Sequence, residues 1–343
     1  MMYTMDSFSE DWRQSAGGIR DAVSLLGCRP AAGGHDWRED AVRLLSARGL
    51  DESDFMSPVN EGGYDMNRQA VFEHLAIRLS SANLFWFTAA DGSVDCERDE
   101  VYLGQCLSMP GTFVGCDPDF PGYDQIRMLC GLANTGCHDS LESLCEAVAL
   151  NFDHPERIYF ISDTHFSQIK AKMVWGRPFE DITDMDLSMI SNWNKTVHSQ
   201  DLVYHLGDFG EPYALSLLNF GKMLFVNGNY ENKRKVDMEP AFEEDGRVEV
   251  IPSGSICTLD GFDYRLCHEP CPEGGCEDDG NFWLYGHIHS SQRIKRNGIN
   301  VGADCNGYWP VPATEIERLR MQVRNFADDN CFCEWVNGRE DAP

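Results

Sequence analysis

Two kinds of apolar spacing divide the chain. Up to about residue 150 the apolar positions recur at helical intervals. Val71, Phe72, Leu75 and Leu79 form one face, and Leu141, Leu144, Cys145 and Val148 form another behind a cap pair of Asp139 and Glu142. Gly- and Pro-rich turns such as Met109-Pro110-Gly111 lie between them, so a mostly helical region is expected over 1–150. From Arg157 onward the pattern changes to short apolar runs separated by helical stretches. The runs are Ile158–Ile161, Leu202–Tyr204, Met223–Val226, Tyr264–Cys267 and Phe282–Tyr285, each about as long as a strand buried between helices. Thr183 and Asp186 open a helix whose face is Met189, Trp193 and Val197. Thr314 and Glu317 open a last one with Ile316, Leu319, Val323 and Phe326. Cys331, Cys333 and Trp335 then alternate as in a short strand. The alternation points to an α/β domain over 156–325, after a boundary at the Pro-containing loop 151–156 and before a tail at 326–343.

Chemistry sits where those runs stop. They are followed in turn by Asp163-Thr164-His165, Gly207-Asp208, Gly228-Asn229-Tyr230-Glu231, His268 and Gly286-His287-Ile288-His289. Ligands of open α/β sheets bind beyond the carboxyl ends of the strands. Two Asp, one Asn and four His are thereby expected in one pocket. Imidazole and carboxylate together suit borderline transition ions better than Ca²⁺ or Mg²⁺. Seven donors exceed the needs of one tetrahedral ion. They suit two divalent cations that share a carboxylate, with manganese favoured and iron, zinc or nickel as alternatives.

Composition narrows the partners. The chain has 343 residues, 42% of them hydrophobic, which excludes wholesale disorder. Its formal net charge is -28, and residues 1–150 contain 10 arginines, 24 acids and no lysine. Such a chain repels polyanions, so long nucleic acid is not expected as a partner. The first residues lack a basic stretch followed by an apolar one, and no run approaches a membrane span, so a soluble cytoplasmic protein without a membrane partner is expected. The 14 cysteines contain no C-x-x-C pair and are expected as free thiols; zinc on Cys267, Cys271 and Cys276, or on Cys331 and Cys333, is the minor alternative.

The ordered series Asp-x-His, Gly-Asp, Gly-Asn, His and Gly-His-x-His resembles the calcineurin-like metallophosphoesterases. Phe160–Phe166, Trp193-Asn194-Lys195, Tyr204–Phe209 and Asn300–Asp304 extend the resemblance toward the small bacterial and phage members. It implies a two-sheet sandwich flanked by helices. By position it implies Asp163, His165 and His289 on one metal, Asn229, His268 and His287 on the other, and Asp208 between them. It also implies hydrolysis of a small phosphoester, nucleotides among the candidates, by a hydroxide bridging the two metals, with Asp208 and Asn229 in the catalytic set and Tyr230 expected to complete it at the position beside Asn229.

One position departs from that family. Many members carry His after the Gly-Asn, and here it is Tyr230. A phenol, with a reference pKa near 10, is a poorer proton donor at neutral pH than imidazolium. Phosphodiesters are therefore expected as substrates ahead of monoesters, with Tyr230 bonding to a phosphoryl oxygen. Arg177, in an Arg-Pro-Phe segment that related members share, is expected to touch substrate. Lys233-Arg234-Lys235 reads as a solvated turn, His205 as a support for the pocket, His154 and His198 as loop residues, and Trp175, Trp193 and Trp283 as core. A metal-binding scaffold with little or no turnover, and a nuclease on the same fold, are the competing functions. A protein partner for residues 1–150 is left open.

Overall fold

The computed structural model describes residues 20–28, 34–57, 66–89, 97–233, 238–270 and 281–326. They divide into two units: residues 1–156, 183–201 and 213–221, and residues 157–182, 202–212 and 222–343. Segments 183–201 and 213–221, which the sequence reading gave to the second domain, group with the first. The tail alternation of Cys331, Cys333 and Trp335, most of the Lys233-Arg234-Lys235 cluster, and Cys271 and Cys276 lie outside the described residues.

The first unit is not the mostly helical region expected. It carries a five-stranded, wholly parallel sheet with the order β2-β1-β3-β4-β5. The strands are β1 (Val23–Gly27), β2 (Phe55–Met56), β3 (Ala82–Phe87), β4 (Thr112–Cys116) and β5 (Cys137–His138). Alternate side chains enter two separate cores. Leu25, Leu84 and Trp86 meet Trp37, Ala41 and Val148 on one face. Leu26, Phe85 and Phe87 meet Ile77, Leu103 and Ile126 on the other. The helices Trp37–Ser46 and Leu141–Phe152 cover the first face, and Met66–Leu79, Glu97–Cys106 and Tyr123–Leu132 cover the second. A strand covered on both faces is apolar throughout, so it loses the period-2 signature that would have announced it. Every residue of β1 and β3 is buried.

The second unit holds two five-stranded sheets. One has the order β15-β6-β7-β8-β9 and the other β10-β11-β12-β14-β13. Their ranges are β6 (Ile158–Ile161), β7 (Leu202–His205), β8 (Lys222–Phe225), β9 (Val248–Val250), β10 (Ile256–Leu259), β11 (Phe262–Leu266), β12 (Phe282–Tyr285), β13 (Ile294–Lys295), β14 (Gly298–Asn300) and β15 (Val311–Pro312). Both sheets feed one core: Phe160 and Tyr204 from the first meet Leu259, Tyr264, Leu284 and Ile299 from the second. Helix Ala313–Phe326 adds Ile316 and Leu319 to it. Strands β6, β7 and β8 run parallel, as do β11 and β12. The five apolar runs are these five strands, and their carboxyl ends carry the seven proposed ligands.

Trp193 and Trp283 are core residues, 1% and 8% exposed. Eight described cysteines are free thiols, Cys267 among them. Cys28 departs from the expectation and is disulfide-bonded. Among the described residues no helix is long and apolar enough to cross a membrane.

Candidate metal centre

Strained backbone marks the site. Asp163, His165, Asp208, His287 and His289 all take left-handed φ values, between 47° and 70°. A non-glycine residue there is uncommon, and Asp and His tolerate it best because a short polar side chain can bond locally. Hydrogen bonds between loops hold the strained turns. The Asp163 amide donates to the Gly207 carbonyl and the His165 amide to the Asp208 carbonyl, each at 3.0 Å. The Thr164 hydroxyl donates to the Phe209 carbonyl at 2.8 Å. Gly207, at φ 92°, is required where a Cβ would stand 2.5 Å from the Gly228 nitrogen.

Those turns bring all seven side chains together. Asn229 Oδ1, His268 Nε2 and His287 Nδ1 form a triangle with sides of 3.1, 3.2 and 3.2 Å. Asp163, His165 and His289 form a second group, with donor atoms within 4.8 Å of one another, and Asp163, Asp208 and His268 form a third. Asp208 Oδ2 stands between the two histidine sets, 3.6 Å from His165 Nε2 and 3.5 Å from His268 Nε2. Asp163, His165, Asp208, His268 and His289 are buried, while Asn229, His287 and Tyr230 are half-buried.

The donors fit divalent cations. His165 donates its Nδ1 hydrogen to Gln168 Oε1 at 2.7 Å, which leaves Nε2 as the inward atom. That nitrogen is buried without a hydrogen-bond partner, and a buried polar atom of this kind needs an explanation. In the triangle, the oxygen can only accept, and two imidazole nitrogens facing each other cannot both donate. At metal–ligand distances of about 2.1 Å, neighbouring donors of an octahedral or tetrahedral ion stand about 3.0–3.4 Å apart, which brackets the observed sides.

Electrostatics agree. Burial pushes His165 down to about 4, against the pull of Asp163 and Asp208, so it is neutral near pH 7. For His268 burial also acts downward, but the Asp208 hydrogen bond and the Asp163 charge prevail and push it up to about 9. A proton thus settles beside two buried carboxylates, where positive charge is wanted. Asp208 is held below its usual range although burial opposes this, chiefly through the His268 hydrogen bond.

Several supporting residues escaped the sequence reading. The Glu231 carboxylate accepts from the amides of Gly228, Asp208 and Phe209 at 2.9–3.0 Å, tying the Asn229 loop to the Asp208 loop. Its place two residues beyond Asn229 was visible, but no periodicity marked it. Asp304 accepts from His289 Nδ1 at 2.9 Å. Trp175 is corrected: it is half-buried and stacks on His289 with ring centroids 3.6 Å apart. Arg177 is corrected too. Its side chain is 0% exposed, and its nitrogens are spent on Asp304 and on the carbonyls of Asp163 and Thr164, so it faces no substrate here. His205, fully buried, bonds to Thr164 Oγ1 at 3.1 Å and accepts from the Gly207 amide at 3.3 Å, supporting the ligand turns rather than joining them. His154 and His198 lie in the first unit. Their rings share a hydrogen bond of 2.8 Å, with Asp201 nearby in the same unit.

The comparisons with known proteins match the same stretch. Residues 157–310 match the calcineurin-like phosphoesterase superfamily domain. An uncharacterized protein of Methanocaldococcus jannaschii, MJ1445, is 31% identical over 179 residues, which span 48% of this chain and 90% of that protein. The chain belongs to the calcineurin-like phosphoesterase superfamily. The superfamily's chemistry is metal-dependent hydrolysis of phosphoester bonds, and the clustered donors are its candidate ligands here. The region before residue 157 has no family match. A solved structure from Aquifex aeolicus, the protein of unknown function AQ665, is similar over 48% of this chain and 99% of its own, with 23% identity and a TM-score of 0.37.

Proposed function

We propose that this protein is a two-cation phosphodiesterase built on a two-sheet sandwich. In this reading Asp163, His165 and His289 hold one ion, Asn229, His268 and His287 hold the other, and Asp208 is shared. The observation that carries it is the position of Asp208 between two histidine sets. Mixed imidazole and carboxylate donors suit borderline ions, of which manganese is the one proposed, with iron, zinc and nickel as alternatives. Bound there, divalent cations supply Lewis acidity and a lowered pKa for water.

The chain's own residues orient that chemistry. The amide of Tyr230 donates to Asp208 Oδ1 at 2.9 Å, so the residue after Asn229 also fixes the shared carboxylate. The Tyr230 ring stands edge-on to His165 with centroids 4.8 Å apart, which brings it to the centre. Burial and the Asp208 charge raise its pKa above the ordinary value, so the phenol stays protonated at neutral pH. It can donate a hydrogen bond to a phosphoryl or leaving oxygen but gives up its proton poorly. Monoesters of poor leaving groups lose most from that, and small phosphodiesters, nucleotides among them, lose least.

The test is Tyr230→His with manganese on matched chromogenic mono- and diesters. The ratio of monoesterase to diesterase activity rises if Tyr230 sets the preference, and an unchanged ratio overturns that point. Alanine at Asp208 and, separately, at His287 abolishes hydrolysis if the centre is the active site. Two ions bound per chain without turnover across a broad phosphoester panel would make the protein a scaffold instead.

A further inference from the structure

We infer that Asp304, gripped by Arg177, positions His289 for its metal ion, so that a buried ion pair 127 residues apart in sequence tunes one half of the centre. The inference rests on the two-cation reading. His289 donates its Nδ1 hydrogen to Asp304 Oδ2 at 2.9 Å, which leaves Nε2 as the nitrogen free to serve in the group with Asp163 and His165. A carboxylate behind a ligating imidazole fixes the ring's tautomer and orientation and raises its basicity. Asp304 is itself fixed by the planar fork of Arg177, which reaches Oδ1 through Nε at 2.9 Å and Oδ2 through Nη2 at 2.8 Å.

The same guanidinium donates to the carbonyls of Thr164 at 2.8 Å and Asp163 at 2.5 Å. One cation therefore ties together the turn that carries Asp163 and His165 and the carboxylate that orients His289. These three ligands are the whole of one donor group. Trp175 closes the remaining face of the His289 ring, and the Asn300 amide donates to the His289 carbonyl at 2.9 Å.

Two of the other candidate ligand histidines, His268 and His165, are held differently. The Nδ1 hydrogen of His268 goes to the Leu206 backbone carbonyl at 2.7 Å, and that of His165 goes to the neutral Gln168 side chain. The side chains of Arg177 and Asp304 are 0% and 2% exposed. A buried ion pair gains little stability over well-packed apolar side chains of the same size, because desolvation offsets much of the attraction. Its placement against three ligands gives it a role that stability alone does not.

Manganese titration calorimetry on the full chain tests this. Wild type is expected to bind two ions. Asp304→Ala is expected to weaken one of them by about 10–100-fold and leave the other unchanged. Asp304→Asn, whose amide oxygen still accepts, loses less, and it keeps the test alive if the alanine variant fails to fold. Removing Asp304 in a His289→Ala background is expected to add nothing, because the carboxylate acts through that ring. Nitrogen-15 spectra of the metal-free protein should show His289 protonated at Nδ1 in wild type and a tautomer mixture in Asp304→Asn. Equal weakening of both ions, unchanged binding, or additive effects of the two substitutions would overturn the inference. A wild type that binds no ion would instead overturn the two-cation reading, and this one with it.

Discussion

Gly286→Ala is a small change with a large expected effect. Gly286 follows β12 and leads directly into His287. A Cβ there would stand 2.3 Å from Asp163 Oδ2 and 2.1 Å from Ser162 Oγ. Ordinary contacts begin at about 3.5 Å, so relief calls for roughly 1 Å of movement. The glycine has little freedom to supply it, because its amide is bonded to the His268 carbonyl and the Ile288 amide is bonded to its own carbonyl. The Ser162 side chain and the Asp163 carboxylate must therefore yield, although the carboxylate accepts from the His287 amide at 2.9 and 3.1 Å. Overpacking of this kind costs about 1–3 kcal/mol of stability. At about 2–4 °C per kcal/mol, the melting temperature falls by a few degrees to about 10 °C. A misplacement near 1 Å at a reacting centre costs about 100-fold in rate. The assay is hydrolysis of bis(p-nitrophenyl) phosphate with manganese, beside a thermal melt. Gly131→Ala is the control. It lies in helix Tyr123–Leu132 with nothing within 4 Å of the added carbon, and it should gain about 0.5–1 kcal/mol with activity intact. Near-wild-type hydrolysis by Gly286→Ala would refute the argument that a close-fitting glycine cradle sets the position of Asp163.

Two further predictions concern pH. His268, raised to about 9 in the metal-free protein, must lose its proton before Nε2 can ligate. Manganese affinity should therefore climb by about tenfold per pH unit between about pH 6.5 and 9 and then level, as titration calorimetry across that range would show; a flat profile contradicts it. Asp304 is held down at about 2; burial acts upward but is outweighed by the His289 hydrogen bond and the Arg177 fork. Its contribution to stability, about 2.5 kcal/mol from the shift, is present above about pH 4 and lost as pH falls through 2. Denaturant unfolding of wild type and Asp304→Asn should differ by that order near neutrality and converge in acid.

The sequence made the candidate ligands legible because each stands where a short apolar run breaks off, and strand ends are where an α/β sheet presents chemistry. The left-handed turns at Asp163, Asp208 and His287 explain the breaks: the chain leaves the strand abruptly to aim a side chain. The parallel sheet of the first unit was hidden for a related reason. Leu84-Phe85-Trp86-Phe87 was visible as an apolar run, but a strand buried on both faces has no alternation to distinguish it from a buried helix. The helices Met66–Leu79 and Leu141–Phe152 kept their 3.6-residue period because each covers only one face of the sheet, and they dominated the reading. Arg177 misled by its chemistry. The same planar fork suits a phosphate or a carboxylate, and only the fold reveals that Asp304 takes it. Trp175 read as core for want of any local mark that its ring lies against a ligand.

The most direct measurement is an anomalous diffraction map from a crystal of the full chain grown with manganese. The account predicts two peaks flanking Asp208, one beside Asp163, His165 and His289 and the other beside Asn229, His268 and His287. A fully manganese-saturated crystal with no peak at Asp208, or with a single ion bound by one histidine set alone, would contradict it.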